Sequence, residues 1–370
     1  MAATGARAAT AGPWRASKDT VTVAASQHEY QSKDRAMLFS LDELRAAAAL
    51  VHSRMPPTPL HFWPQLSEPT GARIWIKHEN HAPTGAFKVR GGITFIDWLG
   101  RTHPDCPGII TATRGNHGQS QARAATAAGL KAVIYVPHGN SAEKNAAMRA
   151  YGANLREFGT DFDEAREEAM RVAAAEGLFP VPPFHKELVR GVATYAMEMF
   201  EAKPDLDRVY VPIGCGSGIC GVIAARDALG LRTRIVGVVA AEAPAALLSF
   251  RAGRMTETPA AQTFADGLAV RVPVPEAFAV YAAGIDDIVA VSEEEIAGAV
   301  RCLYRATHNL AEGAGAAALA ALLKEKARLS GRDVGIILSG ANIDTAWMAT
   351  ILQENTPRPA ALDQGPNCAR

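Results

Sequence analysis

From Phe39 onward, short runs of β-branched and apolar residues alternate with longer alanine-rich stretches whose apolar positions recur every three or four residues. The first pattern predicts strands and the second predicts helices with a buried face. Ser40-Leu41-Asp42-Glu43 sets a serine three residues before a glutamate, a capping box that opens a helix toward Ser53. Arg73 to His78 reads as a strand, Val89 to Leu99 as a helix, Gly108 to Thr113 as a strand and His117 to Ala128 as a helix. The segments Ala132 to Val136, Ala142 to Tyr151, Asn154 to Phe158 and Asp161 to Ala175 continue the alternation. A second series follows Pro182-Pro183, with Tyr195 in a helix, strands over Arg208 to Ile213 and Arg234 to Ala240, and a helix over Ile219 to Leu229. Ser292-Glu293-Glu294-Glu295 caps a later helix, and Val334 to Leu338 is the last apolar strand. Repeated βα units predict an α/β fold of largely parallel sheets covered by helices on both faces.

With 370 residues the chain has room for one large or two medium domains. Lysine plus arginine and aspartate plus glutamate both number 38, so the net charge is zero. No basic block is present, which argues against nucleic acid or an anionic membrane as partner. No apolar run approaches the length of a membrane span. Five scattered cysteines without a C-x-x-C pair argue for a reducing, cytoplasmic setting and against a zinc or disulfide framework. Residues 1–30, rich in Ala, Thr, Ser and Arg, read as a disordered tail, with an organellar presequence as the alternative.

Parallel sheets bind ligands beyond the carboxyl ends of their strands, and four segments carry unusual residues there. Lys88 lies in Pro83-Thr84-Gly85-Ala86-Phe87-Lys88-Val89-Arg90-Gly91-Gly92, a glycine-containing turn at the mouth of a helix. Exposed N–H groups and the positive dipole end push its ammonium toward the free amine, which can form a Schiff base with a carbonyl. A solvated surface lysine is the ordinary alternative. Gly214-Cys215-Gly216-Ser217-Gly218 follows a strand and opens a helix, an anion cradle of backbone N–H groups. Gly216 to Gly221 also fits the dinucleotide fingerprint G-x-G-x-x-G, with Glu242 available for a ribose hydroxyl, so an NAD-dependent oxidoreductase competes from local evidence. Thr113-Arg114-Gly115-Asn116-His117-Gly118 suits a carboxylate, or else Asn116 is only a helix cap and His117 a first-turn residue. Ser339-Gly340-Ala341-Asn342 offers a hydroxyl that brings no charge.

Taken together these segments resemble the fold type II pyridoxal-phosphate enzymes, the threonine/serine dehydratase and serine racemase family, of tryptophan synthase β-like architecture. Glu79-Asn80 through Gly92, Thr113 through Gln119, Gly214 through Gly218, Ala265-Asp266-Gly267-Leu268-Ala269-Val270, Glu312-Gly313-Ala314-Gly315 and Ser339 through Asn342 match in the family's order. The resemblance implies a large cofactor-binding domain over residues 31–107 and 186–355, a small domain over 108–185, and tails at 1–30 and 356–370. It implies pyridoxal 5'-phosphate as cofactor, Schiff-base attachment through Lys88, and Lys88 as the base at Cα. Phe87 would pack on the pyridine ring and Asn116 would bond its 3-oxygen. Gly214, Cys215, Gly216, Ser217 and Gly218 would hold the phosphate, Ser339 would face the pyridine nitrogen, and Glu312 would lie near the ring. Thr113, Arg114, Gly115 and His117 would bind the substrate carboxylate. A homodimer is implied as well. One phosphate also suits a single five-residue cradle better than a pyrophosphate does.

The implied reaction is an ammonia-lyase α,β-elimination on a 3-hydroxy-L-amino acid. Proton removal by Lys88 precedes hydroxide loss, and hydrolysis then releases a 2-oxo acid and ammonia. A neutral serine cannot keep the pyridine nitrogen protonated, which favours prompt loss of the β-hydroxyl over reprotonation. Threonine or serine is the default substrate; phenylserine, 3-hydroxyaspartate or diaminopropionate are alternatives, as is a catalytically dead binding protein. Two positions depart from the pattern. Arg114 stands where racemases of the family place a proton-donating serine, so little racemization is expected. It pairs either with an anionic substrate group or with a neighbouring carboxylate. Glu242 and Ala246 fit the family's divalent-cation pattern, but Leu248 replaces its acid, so no metal is expected.

Overall fold

The computed structural model describes residues 37–358. The tail expected over 1–30 and most of that expected over 356–370 lie outside the described residues. Ten strands among the described residues form two sheets. They are β1 Leu60–Phe62, β2 Arg73–His78, β3 Gly108–Ala112, β4 Lys131–Val136, β5 Asn154–Glu157, β6 Phe179–Pro180, β7 Arg208–Pro212, β8 Arg234–Ala240, β9 Asp287–Val291 and β10 Asp333–Leu338. One sheet has the order β1-β2-β10-β7-β8-β9 and is parallel except for β1, which runs antiparallel to β2. The other, β5-β4-β3-β6, is parallel throughout.

The local reasons are those the chain announces. Both capping boxes form: the Ser40 hydroxyl accepts from the Glu43 N–H ahead of the helix Leu41–His52, and Ser292 accepts from Glu295 ahead of Glu293–Thr307. Every residue of β10 is buried, the mark of a central strand covered on both faces. The helix Gly313–Glu325, in which every residue from Gly313 to Leu322 is buried, packs against β7, β8, β9 and β10. A helix apolar all round must be internal. Glycine lets it lie close to the turn after β10: a Cβ on Gly315 would stand 2.3 Å from the Gly340 carbonyl oxygen.

The strands β1 and β6 escape a reading of periodicity because two or three residues carry too little pattern; β9, as long as β3 and β7, also stands outside that reading. Lys88 is the first residue of the helix Lys88–Thr102 rather than its predecessor. No helix among the described residues is long and apolar enough to cross a membrane.

Candidate active site

Strands β2, β10 and β7 are parallel neighbours, so the turns that follow them open side by side. The turn after β10 folds back on the approach to Lys88: Ala86 bridges Gly340, and the Phe87 N–H donates to the Ser339 carbonyl at 3.0 Å. Gly85 holds the turn with φ +67, and an added Cβ would stand 2.7 Å from Asn342 Oδ1. Ser339 itself is buried.

Lys88 Nζ donates to Ser217 Oγ at 3.1 Å, which sets the lysine against the glycine loop after β7. Burial pushes its ammonium toward the free amine, while the Cys215 thiol and the Glu312 carboxyl oppose that less strongly. Desolvation thus does what the helix dipole alone would do only weakly. Its nitrogen lies 4.8 Å from the centroid of the Phe87 ring, which meets Tyr195 edge to face at 6.0 Å. Tyr195 donates to the Gly218 carbonyl at 3.1 Å, tying the Phe87 wall to the loop. Within the loop, Gly216 takes φ +98 as the cap of the helix Ser217–Ala228. A side chain at Gly214 would strike the Gly267 carbonyl at 2.2 Å, so bare backbone faces this space. The Cys215 thiol is pushed up by burial, against the pull of Lys88.

The fourth segment arrives from the other sheet, after β3. The Thr113 hydroxyl accepts from the Gly115 N–H at 3.1 Å and so closes the turn. Asn116 is the first residue of the helix Asn116–Ala127, whose N-cap is Gly115, and its amide bonds elsewhere instead of capping: Nδ2 donates to Glu312 Oε1 at 2.7 Å and Oδ1 accepts from Asn342 Nδ2 at 2.7 Å. Ser120, one turn on, donates to the Lys88 carbonyl at 2.6 Å. His117 is held neutral, down to about 3, by burial and by Lys88, and its Nε2 is buried without a partner. Arg114 is exposed and makes no ion pair among the described residues.

Glu312 carries the largest electrostatic perturbation among these acids. Burial raises it to about 7 and Asp266 adds to this, while Lys144, the Asn116 amide and Lys88 pull the other way. Its Oε2 is buried without a partner. Orphaned polar atoms at His117 and Glu312, an amine-biased lysine and a bare backbone cradle fit a ligand with a carbonyl, a ring and one phosphate.

Residues 52–340 match the family described as pyridoxal-phosphate dependent enzyme. The chain belongs to that family. The L-threonine ammonia-lyase of Geobacter sulfurreducens is 38% identical over 82% of this chain and 73% of its own length. The L-threo-3-hydroxyaspartate ammonia-lyase of Saccharomyces cerevisiae is 30% identical over 82% of this chain and 93% of its own. Among solved structures, maize serine racemase superposes with a TM-score of 0.79 at 27% identity, covering 85% of this chain and 97% of that one. The protein is a fold type II pyridoxal-phosphate-dependent lyase of the threonine/serine dehydratase family, and pyridoxal phosphate, not NAD, is its cofactor. Glu242, the ribose partner of the discarded reading, is exposed.

Lys88, Phe87, Asn116, the 214–218 loop, Glu312 and Ser339 are linked through the contacts above. The contacts also add Asn342, Tyr195, Ser120, Lys144 and Asp266. Asn342 was visible in a matching segment, but Lys144 sits in an alanine-rich amphipathic stretch that reads as solvated surface. Among the described residues no group of three or more metal-ligating side chains gathers.

Proposed function

We propose that this enzyme is a dehydratase that converts a 3-hydroxy-L-amino acid, with threonine or serine as the default, to the 2-oxo acid and ammonia. The observation that carries this reading is the desolvated Lys88 amine between the glycine loop and the Phe87 ring, with an uncharged, buried serine at the end of β10. When bound, pyridoxal phosphate supplies a carbonyl for attachment and a ring that draws electron density from Cα. In this reading Lys88 holds the cofactor and then takes the Cα proton from one face, a task that needs the neutral amine its burial favours. The N–H groups of 214–218 hold the phosphate, while Asn116, fixed by Glu312 and Asn342, orients the ring oxygen. The 113–117 loop grips the substrate carboxylate with groups other than the Thr113 and Gly115 N–H, which bond to the Tyr135 carbonyl and the Thr113 hydroxyl. Ser339 offers a hydrogen bond and no charge. The β-hydroxyl leaves as water, the resulting enamine becomes an imine, and one water adding to its C=N carbon expels ammonia and leaves the 2-oxo acid.

The exposed, unpaired Arg114 supports a second reading, an acidic 3-hydroxy amino acid such as 3-hydroxyaspartate. Phenylserine is the apolar counterpart, able to stack on the guanidinium. A guanidinium stays charged and cannot return a proton to the opposite face, so racemization is expected to be slight. We further infer a cytoplasmic enzyme with a large and a small domain around the two sheets and, from the family resemblance, a homodimer; light scattering of the holoenzyme tests the dimer.

A panel of 3-hydroxy amino acids scored by 2-oxo acid release decides the substrate. Threonine or serine turnover is the expected outcome, and a borohydride-trapped cofactor band that disappears in Lys88→Ala supports the lysine's role. Arg114→Ala should depress acidic substrates selectively if the second reading holds. A colourless protein that neither traps cofactor nor releases a 2-oxo acid would sink the proposal.

A further inference from the structure

The start of the helix Ala142–Ala150 presents three polar contacts, from Ser141, Glu143 and Lys144, all to loops of the six-stranded sheet. Ser141, its N-cap, donates to Asp344, itself the N-cap of the helix Thr345–Leu352. In return, the Thr345 N–H donates to Glu143 Oε1 at 2.9 Å. Glu143 thus caps the start of the second helix, and the Ser141–Asp344 bond ties the two N-cap residues together across the space between the sheets. Lys144 makes the third contact, an ion pair with Asp266 in the turn Asp266–Leu268.

Lys144 is 6% exposed, a depth at which a lysine is rarely found without a purpose for its charge. Its stem runs under the 113–117 loop: a Cβ on Gly115 would stand 2.7 Å from Lys144 Cδ. Gly115 is thus bare because the lysine occupies that space. The next residue, Asn116, is the one bonded to Glu312 and Asn342. Asp344 lies two residues beyond Asn342. The same cluster therefore touches both sides of the Asn116 bridge.

We propose that Lys144 is a positioning residue: pinned by Asp266, its stem is the floor that sets the height of Gly115 and Asn116 over the site. The inference rests on the reading of 113–117 as the substrate-carboxylate loop. Lys144 is buried and Asp266 only partly exposed, so salt should screen the pair less than a surface ion pair. Lys144 is also the strongest of the neighbours that favour the Glu312 carboxylate, with Lys88 and the Asn116 amide acting in the same sense and Asp266 against it. The loop's height and the acidity of Glu312 then answer to one side chain.

The test compares Lys144→Met, Lys144→Arg, the double variant Lys144→Met/Asp266→Asn, and Arg271→Gln as holoenzymes. Arg271, a few residues past Asp266, pairs on the surface with Asp163 of the helix Phe162–Glu176 at 2.7 Å, and its side chain touches nothing in the site. Lys144→Met should raise the threonine KM about tenfold or more with a much smaller change in kcat, as a displaced binding loop would. It should also move the Glu312 limb of the pH profile to higher pH. Lys144→Arg should recover part of both effects, and Arg271→Gln should match the wild type. Affinity for glycine, read from its perturbation of the cofactor band, should fall by a similar factor. That arm reads the loop even if wild type does not dehydrate threonine, a result that would count against the dehydratase reading alone. A folded Lys144→Met with wild-type glycine affinity and pH profile would overturn the proposal. So would an Arg271→Gln variant that behaved like it. If Lys144→Met is unfolded, the double variant, which leaves no unpaired charge, gives the decision.

Discussion

At the residue scale, the decisive quantity is the protonation of buried groups. Lys88 and His117 are both pushed toward their neutral forms by burial, while Glu312 is raised to about 7. The ionised Glu312 carboxylate is the form that accepts best from Asn116 and offsets charge on Lys88 and Lys144. Activity that depends on this bridge should therefore rise as pH passes upward through 7, where the carboxyl gives up its proton. In Glu312→Gln the amide cannot titrate, so kcat/KM should lose that transition, with an activity drop of about 10- to 100-fold at pH 8. A profile of kcat/KM from pH 6 to 9 checks it; an unchanged transition in the variant would mean another group titrates.

Elements reach the site by approaching more closely than side chains permit. The buried helix Gly313–Glu325 lies against the Ser339–Gly340 turn at Gly315, where an added Cβ would meet backbone oxygen at 2.3 Å. Backbone cannot step aside as a flexible side chain does, so Gly315→Ala must displace either the helix or the turn. The expected cost is about 1–3 kcal/mol of stability, seen as a lowered Tm, together with weakened cofactor retention because the turn carries Ser339. Retained stability with full cofactor content would show that the helix shifts freely. The alanine-rich pattern announces a buried helix, but which residue meets which turn depends on how helix and sheet are stacked.

For the whole molecule, a buried charge network stands behind the Lys88 helix. Arg90, fully buried, donates to both oxygens of Glu79 at 2.7 and 3.0 Å and to both oxygens of Glu198 at 2.5 and 3.0 Å. Lys77 donates to Glu198 at 2.5 Å, and His52 lies 2.8 Å from it. This joins β2, the Lys88 helix and the helices Leu41–His52 and Lys186–Ala202. Burial would raise the Glu198 carboxyl, yet its bonds and charges with Arg90 and Lys77 hold it down at about 2. Its contribution to stability is present above the ordinary value of 4.5 and is lost as pH falls toward 2. Arg90→Met should cost about 3–5 kcal/mol at pH 7, since it strands buried carboxylates. The penalty should shrink in acid as those carboxylates protonate. Urea unfolding at pH 7 and pH 4 measures both; a penalty independent of pH would assign the loss to packing alone.

What the chain determined alone were the features set by neighbours a few residues apart. The capping boxes at Ser40 and Ser292, the buried run of β10, the Gly214–Gly218 loop and the lysine at a helix mouth are local, and each formed where its pattern stands. Their order along the chain also carried the family. Tertiary structure decided what lies across from what. Asn116 bonded to Glu312 and Asn342, Lys144 beneath Gly115, and Arg90 behind Lys88 each join residues far apart in sequence. No period or motif encodes such distances. Burial, and with it the amine of Lys88 and the raised carboxyl of Glu312, exists only once both sheets have closed the space around them.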